Sequence, residues 1–142
     1  GTCPSGYSKF QRSCFKSFPN PKTHILAERD CKAVGGFLAV PKDRETNTFL
    51  ARQGNKIVRR GKFYIGLSNR NRGKQWFYAD GTRLGRYKNW RPGEPNNYRG
   101  KNEDCVELWW NGWWNDVPCS YKYRYHCEVK LPRGHCKFLS LF

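Results

Sequence analysis

Acidic side chains are scarce in this chain, and they collect in one place. Of 11 Asp and Glu in 142 residues, five (Glu94, Glu103, Asp104, Glu107 and Asp116) fall between positions 94 and 116. Two bases, Arg99 and Lys101, share that window, so its charge balance is −3 inside a chain of +16. Carboxylates crowd against their mutual repulsion mainly when a cation offsets it. Here they come with Asn amides and without a Cys or His at metal spacing. That donor set suits a hard cation, and Ca²⁺ takes about 6–8 such oxygens. Glu94-Pro95-Asn96 places a carboxylate and an amide carbonyl on one turn. Pro95 is a candidate for a cis bond, which would aim both side chains at one point. Glu103 follows nine residues later, just before Cys105, which can anchor it. Trp114-Asn115-Asp116 adds an amide and a carboxylate at a strand end. A solvated turn explains Glu94-Pro95-Asn96 by itself as well as a ligand pair does. The three words together favour calcium.

These residues need a frame. Cys3 to Cys14 holds aromatic residues between two cysteines and reads as a short hairpin stapled at its ends. Helical spacing of Ile25, Leu26, Ala27, Cys31 and Val34 predicts a helix over Thr23–Val34, with Thr23 as N-cap and Gly35-Gly36 as its stop. Phe37-Leu38-Ala39-Val40 reads as a short buried strand that Pro41 ends. A second helix is predicted from Asp43, its cap, to about Gln53, with Phe49-Leu50 toward the core. Lys56 to Lys62 reads as a basic connector. Strands are expected at Phe63–Leu67 and Gln75–Tyr78, the latter closed by the turn Asp80-Gly81. Leu84 to Asn102 shows neither helix nor strand period, and structureless stretches of that length are usually functional or disordered. Late strands are expected at Cys105–Trp110, Gly112–Trp114 and Tyr121–Glu128. Trp76, Trp90, Trp110 and Trp113 read as core and Trp109 as exposed. His126 reads as a strand residue, His24 and His135 as surface. The sum is an α+β domain without internal repeats.

Composition bounds the function. The length fits one domain, and 37% apolar with 16% aromatic residues can build a core. Apolar runs stop at four residues, far short of the ~20 a membrane span needs, so no membrane span is expected. The missing initiator Met and apolar leader read as a mature chain or a fragment. A pI near 9.9 points to polyanionic partners. Seven cysteines without a C-x-x-C pair argue for disulfides in an oxidising compartment. A secreted, extracellular protein follows, with anionic glycans ahead of nucleic acid, for which no binding is expected.

Taken in order, several words resemble the C-type lectin-like domain family over about residues 3–129. They are Cys3 and Cys14, Ala27-Glu28-Arg29-Asp30-Cys31, Gly36-Phe37-Leu38-Ala39, Tyr64-Ile65-Gly66-Leu67, Asn89-Trp90, Glu94-Pro95-Asn96, Glu103-Asp104-Cys105, Trp114-Asn115-Asp116 and Tyr125-His126-Cys127-Glu128. Glu-Pro-Asn resembles the mannose-type members; galactose-type members carry Gln-Pro-Asp. The resemblance implies two helices with two small antiparallel sheets, a long calcium- and sugar-binding loop, and a domain over 1–129 followed by a basic, apolar tail over 130–142. It implies the disulfides Cys3–Cys14, Cys31–Cys127 and Cys105–Cys119. The second closes nearly the whole domain, worth about 4 kcal/mol in the chain-entropy picture. It implies one Ca²⁺ held by Glu94, Asn96, Glu103, Asn115 and Asp116. Sugar then binds through two vicinal hydroxyls on that ion, with Glu94, Glu103, Asn96 and Asn115 completing the hydrogen bonds. Mannose, N-acetylglucosamine, glucose and fucose carry such diols. An auxiliary calcium site would use Asn69, Gly73, Asn97 and Asp104; with one carboxylate among them it is expected to be empty.

Two residue groups remain. Cys136 is left over, as a bridge to a second copy in a homodimer or as a free or capped thiol. Arg59, Arg60 and Lys62, in a short basic pattern, and Arg99 and Lys101, beside the sugar site, can hold anions. They support an alternative reading, calcium-independent binding of heparin-like, lipopolysaccharide or teichoic acid polymers. A glycosidase would need a carboxylate pair, which Glu94 and Glu103 can imitate. Calcium would occupy both, so no enzyme is expected. The resulting expectation is a lectin for microbial or self glycans in innate defence.

Overall fold

The computed structural model describes residues 1–69, 75–96 and 103–132. Cys136, the tail from 133 onward, Gly73, Asn97, Arg99, Lys101 and His135 lie outside the described residues. In chain order the elements are β1 (Ser8–Phe10), β2 (Ser13–Lys22), α1 (His24–Ala33), β3 (Phe37–Leu38), α2 (Arg44–Ile57), β4 (Lys62–Ser68), β5 (Phe77–Tyr78), β6 (Cys105–Trp109), β7 (Trp114–Val117) and β8 (Tyr123–Lys130). This is the expected α+β architecture of two helices and short strands.

Three details differ from expectation. The two sheets are joined into one mixed sheet in the order β1-β2-β8-β4-β6-β7, with β3 on β8 and β5 on β4. The joint is a parallel pairing, Phe63 beside Arg124 and Tyr64 beside Tyr125. Helix α2 runs to Ile57 rather than Gln53, so the basic connector begins inside the helix, with Lys56 and Ile57 helical. Its start is capped as expected: Asp43 Oδ1 accepts from the Thr46 N–H at 2.7 Å, an interaction worth about 1 kcal/mol. Thr23 precedes α1 without a side-chain cap bond. There the orphan N–H of His24 is instead satisfied by the Cys119 carbonyl at 3.1 Å. His24 is therefore buried, not on the surface, and sits edge-on to Tyr64.

The core has two parts. One gathers Phe15, Leu50, Ile65, Leu67, Val106, Leu108 and Trp114. The other gathers Ala27, Leu38, Tyr64, Val117, Tyr125 and three disulfide cysteines, Cys31, Cys105 and Cys127. Strand alternation explains the division. Along β6, Val106 and Leu108 face the first part while Cys105 faces the second. Cys31–Cys127 ties α1 to β8, Cys105–Cys119 ties β6 to the segment after β7, and Cys3–Cys14 closes the first hairpin. Gly66 sits where β4 passes β3. A Cβ there would stand 2.2 Å from the Leu38 carbonyl oxygen, so only glycine fits.

Candidate functional site

The long stretch after Leu84 has no period, yet it is sewn to the core. The Trp114 N–H donates to the Asn89 carbonyl (2.9 Å) and the Arg91 N–H donates to the Trp114 carbonyl (2.8 Å). Trp90 and Trp114 thus form a parallel bridge. Trp114 is fully buried, and its Nε1 donates to Asn47 Oδ1 of α2 at 2.8 Å. Asn47 and Asn89 both donate through Nδ2 to the Gly112 carbonyl, at 2.9 and 2.5 Å. Helix, loop and β7 are held by one buried polar network. The chain leaves that anchor at Arg91 and turns through Gly93 (φ 89°) to a cis Glu94–Pro95 bond.

The outcome is a cleft of about 270 Å³ lined by Arg91, Glu94, Asn96, Glu103 and Asn115. Four of the five residues named from sequence as a ligand set line it. Asp116, the fifth, is buried, and its carboxylate accepts the Asn96 N–H at 3.1–3.2 Å. It fixes the backbone that carries Asn96. Among the described residues no three Asp, Glu, His or Cys side chains are gathered as a metal cluster. What the cleft gathers is two carboxylates and two amides.

The electrostatics of this cleft favour a cation. The Glu94 carboxyl is pushed up to about 7, first by burial and then by the hydrogen bond and charge of Asp116. Arg91 pulls it down and Glu103 pushes it up. Glu94 Oε2 accepts from the Arg91 guanidinium at 3.3 Å. Glu94 Oε1 is buried without a hydrogen-bond partner among the described residues. A buried carboxylate oxygen with no protein donor is satisfied by a proton, a water or a cation.

Two residues here were not named from sequence as part of the site. Arg91 lines the cleft, and its guanidinium lies 4.8 Å from the centre of the Trp109 ring. Glu107 is fully buried on β6 and accepts from Asn115 Nδ2 (3.0 Å) and Trp109 Nε1 (2.9 Å). Its place in the acid window and its β6 phase, two residues from Cys105, were the available signal. Trp113 is 38% exposed rather than core, Trp109 half-buried and Trp114 fully buried. The turn at Gly112 (φ 92°) leaves Trp113 outside β7, which starts at Trp114 rather than at the expected Gly112, and Trp114 points into the core. Trp76 and Trp90 pack against the core as expected, and Trp110 is half-buried.

The other sequence-predicted residues lie elsewhere. Arg59, Arg60 and Lys62 line a second cleft that shares no residue with the first. Asn69 and Asp104 meet through a backbone bond from the Asn69 N–H to the Asp104 carbonyl, 3.0 Å.

Comparison with known proteins places this architecture. Residues 20–129 match the Lectin C-type domain. The chain belongs to the C-type lectin domain family, a carbohydrate-recognition fold that serves binding rather than catalysis. It is 37% identical over 125 residues to the versican core protein of Rattus norvegicus, a match covering 87% of this chain. The chain spans 4% of the length of that relative. It is similar to the mouse scavenger receptor C-type lectin carbohydrate-recognition domain, with a TM-score of 0.83 and 26% identity, covering 92% of this chain and 100% of that one. It is equally similar in shape to the cow CD23 carbohydrate-recognition domain, solved in the presence of a GlcNAc2Man3 oligosaccharide. That TM-score is 0.83 at 29% identity, covering 93% and 98% of the two chains.

Proposed function

We propose that this domain is a secreted, calcium-dependent lectin of the mannose type, acting in recognition of microbial glycans. The observation that carries the reading is the gathering of Glu94, Asn96, Glu103 and Asn115 around one cleft, with a buried, unpartnered oxygen on Glu94. These four, with Asp116 beneath, would hold one Ca²⁺. Bound there, the ion would supply a Lewis-acidic seat for two vicinal sugar hydroxyls. The protein's own contribution is hydrogen bonding. Glu94 and Glu103 accept hydroxyl protons, and the Asn96 and Asn115 amides donate to hydroxyl oxygens. Ligand order in the word Glu94-Pro95-Asn96 favours mannose, N-acetylglucosamine, glucose and fucose. The cow CD23 domain solved in the presence of GlcNAc2Man3 supports the same ligand class. Three disulfides support an oxidising, extracellular setting. The cleft is small and open at the surface, so single sites bind weakly and multivalent glycans gain by avidity.

The test is retention on mannose–agarose in Ca²⁺ with parallel elution by EDTA and by high salt. Release by EDTA and not by salt is expected. Failure to bind, or release by salt alone, would remove the lectin reading. Calcium-independent capture of anionic glycans is a second reading because of the separate basic cleft at Arg59, Arg60 and Lys62.

A further inference from the structure

The parallel pairing of β4 with β8 brings together two basic words that lie some sixty residues apart in sequence. Phe63 pairs with Arg124, so both strands begin at the same end of the sheet. Lys62 opens β4, while Tyr123 and Arg124 open β8 directly after Lys122. The turn before β4 adds Arg59 and Arg60. These residues line a cleft of about 270 Å³ that holds five cations and no carboxylate. The larger cleft beside α2 also carries four bases. There Asp43 and Glu45 act on the lining Tyr87, so part of its charge is offset.

We propose that the β4–β8 cleft is a calcium-independent binding site for sulfated polysaccharide. Three observations carry it. First, the turn is built rather than loose. Arg60 stands at φ 57°, and its N–H donates to Asn55 Oδ1 at 3.4 Å. The Gly61 N–H donates to the Val58 carbonyl at 3.3 Å. A Cβ on Gly61 would strike Val58 Cγ1 at 2.3 Å, so the turn is closed on itself. Second, Arg124 Nε is buried without a hydrogen-bond partner among the described residues. A guanidinium holding an unused donor at an open cleft suits a ligand oxygen. Third, Pro21 and Tyr123 line the same cleft and add ring surface. Guanidinium forks match sulfate esters spaced along a chain, and an aromatic face suits the pyranose between them. Five cations repel one another unless anions answer them, and among the described residues none of the five is in an ion pair.

This inference stands apart from the calcium site, and EDTA keeps the two distinguishable. The probe is a heparin-derived oligosaccharide, measured by biosensor in EDTA across a salt series. Two variants carry the same net charge. Arg60→Asn with Lys122→Gln alters the cleft; Asn tolerates the left-handed φ of position 60. Lys9→Gln with Arg29→Gln removes two exposed cations that line none of these clefts. The cleft pair is expected to lose about tenfold in affinity, and its log affinity to depend less steeply on log salt, by about one unit per lost contact. The remote pair should lose less than about threefold. Equal losses would show diffuse charge only and overturn the site. Undiminished binding of the desulfated oligosaccharide, or equal cleft-dependent binding to phosphatidylglycerol vesicles, would overturn the sulfated-glycan assignment.

Discussion

Glu107 Oε1 accepts from Asn115 Nδ2 at 3.0 Å, and this contact orients an amide. A carboxylate only accepts hydrogen bonds, so Asn115 gives one of its two N–H donors to Glu107, keeps the second for a sugar oxygen, and presents its carbonyl oxygen the other way. Asn115 lines the cleft, so the oxygen left over is the atom a hard cation requires. Glu107 is thus a positioning residue. Glu107→Gln keeps the volume but allows either amide orientation. Calcium affinity is expected to fall about tenfold, with the unfolding temperature in EDTA little changed. Calorimetric titration of Ca²⁺ decides it, and an unaltered affinity would refute the role.

Sugar preference is expected to follow the pair around Pro95. Glu94→Gln with Asn96→Asp conserves charge while exchanging a carboxylate and an amide on the two sides of the site. Acceptors and donors toward the sugar hydroxyls then trade places. Competition by galactose should rise and competition by mannose fall, each by about tenfold, a shift of about 1.4 kcal/mol. A glycan array or inhibition assay in Ca²⁺ reads this directly. An unchanged profile would place the sugar elsewhere.

The anchor behind the loop is expected to matter for stability as much as for binding. Asn47→Leu removes both the acceptor of Trp114 Nε1 and a donor to the Gly112 carbonyl. The Gly112 carbonyl keeps its bond from Asn89, but Trp114 Nε1 is left buried and unpaired, at a cost of about 1–3 kcal/mol. Urea unfolding in EDTA should register that loss. Calcium affinity should fall as well, because Asn115 and Asp116 follow Trp114 directly on β7. A stability loss without an effect on calcium would separate the anchor from the site.

Much of the site was legible because its chemistry is written in short words. Glu94, Asn96, Glu103 and Asn115 were named from sequence as one group, and they line one cleft. The three disulfide pairs were named as well. Other features depend on contacts distant in sequence. The order of the long loop rests on backbone bonds between Asn89, Arg91 and Trp114, which leave no periodic trace in side chains. His24 reads as surface from sequence, but it is buried against Tyr64 and its N–H donates to the Cys119 carbonyl, contacts distant in sequence. Lys122 and Arg124 join Arg59, Arg60 and Lys62 in one patch because β4 and β8 run parallel, a pairing with no local signal in the sequence. Trp113 reads as core from sequence but is exposed, because it lies in the turn at Gly112 ahead of β7.

Acid sensitivity of the fold is expected to centre on His126. Its ring is buried and stacks on Phe63 at 4.5 Å. Nδ1 is hydrogen-bonded to Ser17 Oγ at 2.7 Å, while Nε2 has no partner among the described residues. Burial pushes its pKa down to about 3 from an ordinary 6.5. Between those values the unfolded chain binds a proton that the folded protein refuses. Stability therefore falls as pH drops from 6.5 toward 3, by up to about 1.4 kcal/mol per pH unit from this group. Glu128 acts the other way. Burial raises its pKa above the usual carboxylate range, against the bonds from Ser13 and the Val40 N–H. Above pH 4.5 the folded state holds that proton longer, which adds stability on acidification. The two effects separate in a comparison of variants. His126→Phe keeps a flat ring against Phe63 and removes the titration. The difference in unfolding free energy between wild type and His126→Phe, both in EDTA, should move in favour of the variant as pH falls from 6.5 to 4. A difference independent of pH over that range would show that His126 is not buried in its neutral form.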